Sequence, residues 1–266
     1  MSAADVPPSR VFRRVAIRPL VMPVEHGGWS LLLEPIVLAL VVLPSAAGVL
    51  VALAAVCAFL IRQPLSLAVR DHRRNRRFPR TAVCERLVLL FAAGIVATLL
   101  WPALDTGGGV LLPMLLASPL LGIVVLYDLR TTIGRALIPE IAAATMVGAA
   151  GASIILAGQG SALAAYALWA VAACRAVPAI IHVRTSLGRG SLALSLIVHV
   201  AAVLATTALY SVGVLPIAAV FAMLVLLGRA LFGIKLRQVS PKRLGLTELA
   251  LGVLTVAIVA AGFLLQ

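Results

Sequence analysis

Nine stretches of about 20 mostly apolar residues follow one another along the chain, each long enough to cross a bilayer as an α-helix. They cover residues 24–43, 46–69, 84–103, 110–127, 137–157, 161–183, 192–211, 213–232 and 246–265. Pro44, Asp105 with Gly107–Gly109, Gly158–Gly160 and Gly213 punctuate the short connections. This pattern constrains the fold more than any other feature. In hydrocarbon every backbone N–H and C=O must be paired internally, and a helix does that within one segment. At 62% hydrophobic and 12% charged, the 266 residues lack the polar surface of a soluble domain. The expectation is an all-α integral membrane protein, with a short basic tail over 1–22 and one transmembrane domain over 23–265.

Charge placement predicts the orientation. With the N-terminus in the cytoplasm, all 22 Lys and Arg fall in the tail or on the cytoplasmic side of the spans, and the opposite connections hold none. The positive-inside bias therefore predicts an N-in, C-out protein of the inner (cytoplasmic) membrane. The same bias explains the net charge of +13 without nucleic acid, and makes anionic lipid of the cytoplasmic leaflet the expected partner. Arg10, Arg13, Arg14 and Arg18 precede no apolar core before Trp29, so the N-terminus reads as a cytoplasmic tail and not a cleaved signal. Cys57, Cys84 and Cys174 have no paired spacing, which argues against a disulfide framework or a metal knot.

The densest charge follows span 2, where Gln63–Arg80 reads QPLSLAVRDHRRNRRFPR and holds Arg70, Arg73, Arg74, Arg76, Arg77 and Arg80. Span 6 echoes it. PLSLAVR (Pro64–Arg70) and PAIIHVR (Pro178–Arg184) share the order Pro, five residues, Arg, with Arg62 and Arg175 shortly upstream. Motifs four spans apart on one membrane face suggest two parallel four-helix halves plus a ninth helix.

Ionisable groups within spans are costly and usually face a protein interior or a wet cavity. Arg62, Ser66 and Arg70 lie on one helical stripe, as do Arg175, His182 and Arg189. Pro64 and Pro178 each free a carbonyl and favour a bend. Two such helices would frame a cytoplasm-facing anion pocket. The alternative is that Arg62 and Arg175 snorkel to the interface over about 10 Å.

Span 1 opens PVEHGGWSLLLEP (Pro23–Pro35) and reaches membrane length only if Glu25 and His26 join its first turns. Gly27 and Gly28 would admit a close helix neighbour, and Trp29 and His26 also suit an interfacial anchor. Glu34 lies near mid-span and needs a partner, Arg62 or Arg175. Glu140 follows Pro139, with Arg135 one turn ahead, and Tyr127, Asp128 and Arg130 end span 4. These acids also suit the role of counter-ions. His26, Glu25, Glu34 and His182 have no diagnostic metal spacing. Phosphate-loop, nucleophile-elbow and zincin motifs are absent.

PVEHGGWSLLLEP, PLSLAVRDHRRNRRFPRT and RAVPAIIHVR resemble the YwiC-like family of bacterial membrane proteins, a likeness that implies a membrane location and assigns no activity. A more distant resemblance is to the UbiA-type intramembrane prenyltransferases, which have nine helices with Asp-rich segments at the cytoplasmic ends of helices 2 and 6. That likeness implies a UbiA-like bundle. The family's Mg²⁺ ligands do not carry over. Its helix 2 motif falls on Gln63, Pro64 and Leu67, and only the last acid survives as Asp71. Its helix 6 acids fall on Arg175, His182 and Ser186. Mg²⁺ requires hard carboxylate oxygens, so neither Mg²⁺ nor another cofactor is expected. Arginine instead binds phosphate or carboxylate directly.

The leading expectation is therefore a UbiA-like membrane protein with an Arg-rich pocket for an anionic amphiphile: an isoprenoid phosphate, a phospholipid or a quinone precursor. Arg62, Arg70, Arg175 and Arg184 are its expected anion contacts. Glu25, Trp29, Glu34, Arg130, Arg135 and Glu140 complete the candidate site. His26, His182 and Asp71 are the candidate catalytic groups of a divergent transferase, the histidines as proton carriers. A small-anion transporter is a second expectation, weakened by the apolar outer halves of the spans. A membrane assembly factor docking a partner through the 70–80 loop is a third.

Overall fold

The computed structural model describes residues 16–22, 26–130, 136–233 and 240–265, with the side chains of His26, Gly27, Asp128 and Leu129 left aside. Among the described residues all regular structure is helical. A single turn, α1 (Arg18–Val21), precedes α2 (His26–Val42), α3 (Ala46–Arg73), α4 (Pro79–Asp105), a 3₁₀ turn at Gly109–Leu111 and α5 (Leu112–Arg130). Then come α6 (Leu137–Ala157), α7 (Ala162–Ser186), α8 (Leu192–Ser211), α9 (Ile217–Gly233) and α10 (Pro241–Leu264). The nine apolar stretches fall on α2 to α10. Seven of these helices are long and apolar enough to cross a membrane; α2 and α9 are shorter apolar helices.

Several helices outrun their apolar stretches at the basic end. α3 continues to Arg73, α4 begins at Pro79, α7 continues to Ser186 and α10 begins at Pro241. Local chemistry explains this, because charged residues pair and cap beyond the hydrocarbon as readily as apolar ones pack within it. Ser240 accepts a hydrogen bond from the Arg243 N–H at the start of α10, and at the opposite, uncharged ends Ser45 and Ser161 cap α3 and α7 in the same way. Thr81 caps α4 by accepting from the Phe78 N–H. Asn75 turns the α3–α4 connection at φ 52°, a conformation that asparagine tolerates.

α6 is the most buried of the long helices and α4 the least. The sequence of α6 supplies the reason: Ala142, Ala144, Gly148, Ala149, Gly151 and Ala152 are all buried. Small residues let backbones approach closely where lipid offers no hydrophobic drive. At Gly151 a Cβ would lie 2.9 Å from the Pro35 carbonyl oxygen of α2, and at Gly148 it would strike the Trp169 ring of α7. Trp169 also donates from Nε1 to the Thr145 carbonyl at 2.7 Å, fastening α7 to α6. Gly28 of α2 lies close to Phe59 of α3, and Trp29 meets the same ring edge-on at 4.9 Å.

The packing divides unevenly. α6, α2, α10, α9 and α8 form an arc of successive neighbours, and each of them also touches α7. The α3–α4 hairpin packs through α3 on α6 and α2, while α5 lies against α6. α7 is thus the wrapped helix of the bundle, and polar groups on it face five neighbours.

Candidate functional site

Glu34 is the ninth residue of α2, Arg175 lies eleven residues from the C-terminus of α7, Arg229 four from that of α9, and Glu248 is the eighth residue of α10. Arg229 and Glu248 lie toward the basic ends of their helices, Glu34 and Arg175 near the middle of theirs, and the three from α2, α9 and α10 meet at Arg175 or its partner Glu248. Arg175 is only 4% exposed. Its Nε lies 3.5 Å from Glu34 Oε2 and its Nη1 3.4 Å from Glu248 Oε2, while Nη2 donates to the Glu248 backbone carbonyl at 2.9 Å. Arg229 reaches the same carboxylate from the other side, Nη1 to Oε1 at 2.8 Å and Nη2 to Oε2 at 3.3 Å. Ser30 donates to Glu34 Oε1 at 2.8 Å. The order Glu34–Arg175–Glu248–Arg229 alternates in sign across four helices, so the group carries no net charge when fully ionised.

Gly252 makes this convergence fit. A Cβ there would fall on the Glu34 carboxylate, so only glycine lets Glu34 lie against α10. Pro35 adds a second local device. Lacking an N–H, it leaves the Leu31 carbonyl without its helical donor. Leu31, Glu34, Pro35, Arg175 and Thr255 line a cavity of about 20 Å³, room for about one water.

Two imidazoles adjoin the cluster. His182 of α7 and His199 of α8 are buried, with ring centroids 6.0 Å apart and an edge-to-face tilt of 80°. His199 Nδ1 lies 2.6 Å from the Ser195 carbonyl, which fixes that nitrogen as the donor. His199 Nε2, Ser195 Oγ, Arg175 Nε, Arg229 Nε and Nη1, and Glu248 Oε1 are enclosed without a hydrogen-bond partner. The Arg229–Glu248 contact at Nη1 is therefore an ion pair without hydrogen-bond alignment. So many enclosed polar atoms in one place demand a physical explanation.

The other expected site residues lie elsewhere. Arg62 and Arg70 are exposed along α3, and Arg130 is exposed at the end of α5. Arg184 pairs with Glu140 at 3.0 Å, tying α7 to α6 near their basic ends. Asp71 is 1% exposed and committed to α4: Arg80 donates to it from Nε (3.2 Å) and Nη2 (2.9 Å), and Thr81 from Oγ1 (2.8 Å). This latch closes the α3–α4 hairpin beside a small core of Leu20, Ala68 and Cys84. Glu25 and Arg135, and the side chains of His26 and Asp128, lie outside the described residues. Among the described residues no three His, Cys, Asp or Glu side chains group as metal ligands would.

The structure thus unites Glu34, Arg175 and His182 and adds three residues that the sequence reading did not single out: Arg229, His199 and Glu248. Arg229 and His199 carried a usable signal, each being an ionisable residue inside an apolar stretch. Glu248 sits near the edge of the last stretch, where an acid costs little and draws no notice.

The model of the YwiC-like protein family matches residues 22–155, half of the chain. The chain belongs to the YwiC-like family. With its apolar helices, this YwiC-like protein is a polytopic membrane protein. Neither a curated protein nor a solved structure matches it. Glu34 and the Asp71–Arg80 latch lie within the matched region, whereas Arg175, His182, His199, Arg229 and Glu248 lie beyond it.

Proposed function

We propose that this YwiC-like protein binds the anionic head of a membrane amphiphile at Arg175 and Arg229, with access from the cytoplasmic side. The observation that carries this reading is the convergence of two guanidinium groups, from α7 and α9, on one carboxylate within the helix bundle. Two arginines around one acid form a bidentate anion receptor in which Glu248 occupies the anion position. A ligand phosphate, with its greater charge, competes for that position, and a ligand carboxylate is its equal. The surrounding space is water-sized, so a headgroup enters as α10 draws Glu248 away from α7 and α9. An isoprenoid phosphate, a phospholipid or a quinone precursor has the required chemistry. His182 and His199 stand next to Arg229, placed to carry a proton to or from a bound group.

The orientation belongs to the same proposal: nine spans, N-in and C-out, in the cytoplasmic membrane. α2 and α9, at 17 residues each, measure about 26 Å at helical rise and complete the count by local thinning of the bilayer. A UbiA-like scaffold is consistent with this count. Mg²⁺-dependent prenyl transfer is not part of the proposal, since Asp71 is already bonded to Arg80 and Thr81.

Titration with a long-chain alkyl phosphate, against the alcohol of equal length, tests the reading. The phosphate should raise the melting temperature of the purified protein, and should raise that of Arg175→Ala clearly less. Glu248→Gln should bind it more tightly, since the competing carboxylate is gone. Equal stabilisation of wild type and Arg175→Ala would refute the assignment.

A small-anion transporter is the second reading, favoured by the alternation of acid and base across four helices, which an alternating-access change would re-pair. Anion uptake into proteoliposomes, abolished by Arg229→Ala, would establish it over the first.

A further inference from the structure

A second site lies away from the charge cluster, between the basic ends of α3 and α4. There a groove of about 500 Å³ opens to the outside of the bundle, within the size range of small-molecule sites. Leu65 and Val69 of α3 and Leu89 of α4 give it an apolar wall, and His72, Arg77 and Glu85 stand at its head. We infer that this groove holds one anionic phospholipid of the cytoplasmic leaflet, its acyl chain along Leu65, Val69 and Leu89 and its phosphate at Arg77.

Depth and charge together select this occupant. Leu65 lies eight residues before the end of α3 at Arg73, about 12 Å below it at helical rise. An acidic soluble protein reaches the arginines of the loop but not Leu65 or Leu89, whereas a lipid chain reaches both. At the head, Arg77 is 78% exposed and lies 3.7 Å from Glu85, which also contacts His72 at 2.8 Å. Glu85 is therefore shared between two bases. The other nearby acid, Asp71, is buried under Arg80 and Thr81. Arg70, Arg73, Arg74 and Arg76 are exposed on the same short stretch of chain, so the local field favours a negative headgroup. The Asp71–Arg80 latch fixes the spacing of the two helices, which makes the groove a built feature and not a transient gap.

The test uses the full-length protein in detergent micelles, with native mass spectrometry against phosphatidylglycerol and phosphatidylcholine of identical chains. A photoactivatable phosphatidylglycerol then maps the contact. Phosphatidylglycerol should be retained preferentially and should label the Leu65–Val69 and Val88–Leu89 peptides. Arg77→Gln should weaken retention about fivefold, the loss expected for one basic residue at an anionic lipid surface. Val69→Trp should abolish retention by filling the groove without changing any charge, with an unchanged melting temperature as the check on folding. Arg175→Ala should leave this site intact, so failure here and failure of the core-site proposal are separately visible. Equal retention of the two lipids, or labelling spread evenly over all lipid-facing helices, would overturn the inference. So would binding of phosphatidylglycerol that survives Val69→Trp.

Discussion

At the residue scale, the decisive contrast is between arginines enclosed in the bundle and arginines exposed on its surface. Arg175 is enclosed with Glu34 and Glu248, whereas Arg62 and Arg70 are exposed along α3. Removing one member of a buried charge group leaves the others without compensation, at a cost of about 3–5 kcal/mol. Arg175→Ala should therefore lower stability by that order in chemical denaturation, and Arg175→Lys should recover little of it, because an ammonium cannot span two carboxylates as a planar fork does. Asp71 offers a cleaner pairwise case. A double-mutant cycle of Asp71→Ala with Arg80→Ala should return a coupling of about 1–3 kcal/mol; additive losses would show that the latch is incidental. What was legible here follows from locality. Glu34 stood out as a mid-span acid, and Arg175 was one of its two expected partners. Arg229 was absorbed into the topogenic charge, and Glu248 pairs with Arg175 across 73 residues, a separation that no local spacing encodes.

At the element scale, the helices are governed by small residues where they meet and by polar residues where they end. The apolar stretches of the sequence located α2 to α10, because hydrocarbon burial and helix formation demand the same run of residues. They miss the basic ends by several residues, since the Ser240 and Thr81 caps and the Asp71 latch extend helices beyond the apolar window. Gly252 tests the close-approach argument. Gly252→Ala should cost about 1–3 kcal/mol by forcing a methyl onto the Glu34 carboxylate. Gly245→Ala, on the same helix with open space around it, should stabilise by roughly 0.5–1 kcal/mol. Comparable melting temperatures for the two variants would mean that α10 does not depend on this contact.

At the scale of the whole molecule, an arc of five helices holds α7 against a neutral group of alternating charges, and a basic hairpin stands beside it. The orientation rests on charge placement and is open to a direct check. In a background without Cys57, Cys84 and Cys174, Asn75→Cys should be labelled by an impermeant maleimide only after cell lysis, and Gly108→Cys in intact cells. Labelling in the reverse order would invert the topology and move the charge cluster to the outer leaflet side. The bundle as a whole was readable because lipid allows few solutions. The interior was not, because which helices meet around α7 depends on packing between distant segments.

The proposed anion receptor for a membrane amphiphile stands or falls with Arg175 and Arg229. Mass spectrometry of the small molecules that co-purify with the protein, with and without Arg175→Ala, tests it most directly. With the α3–α4 groove filled by Val69→Trp in every sample, an acidic amphiphile should be released from the protein with Arg175 intact, lost with Arg175→Ala and retained on Glu248→Gln. The same amphiphile bound in equal amount with and without Arg175→Ala in that Val69→Trp background would contradict the receptor.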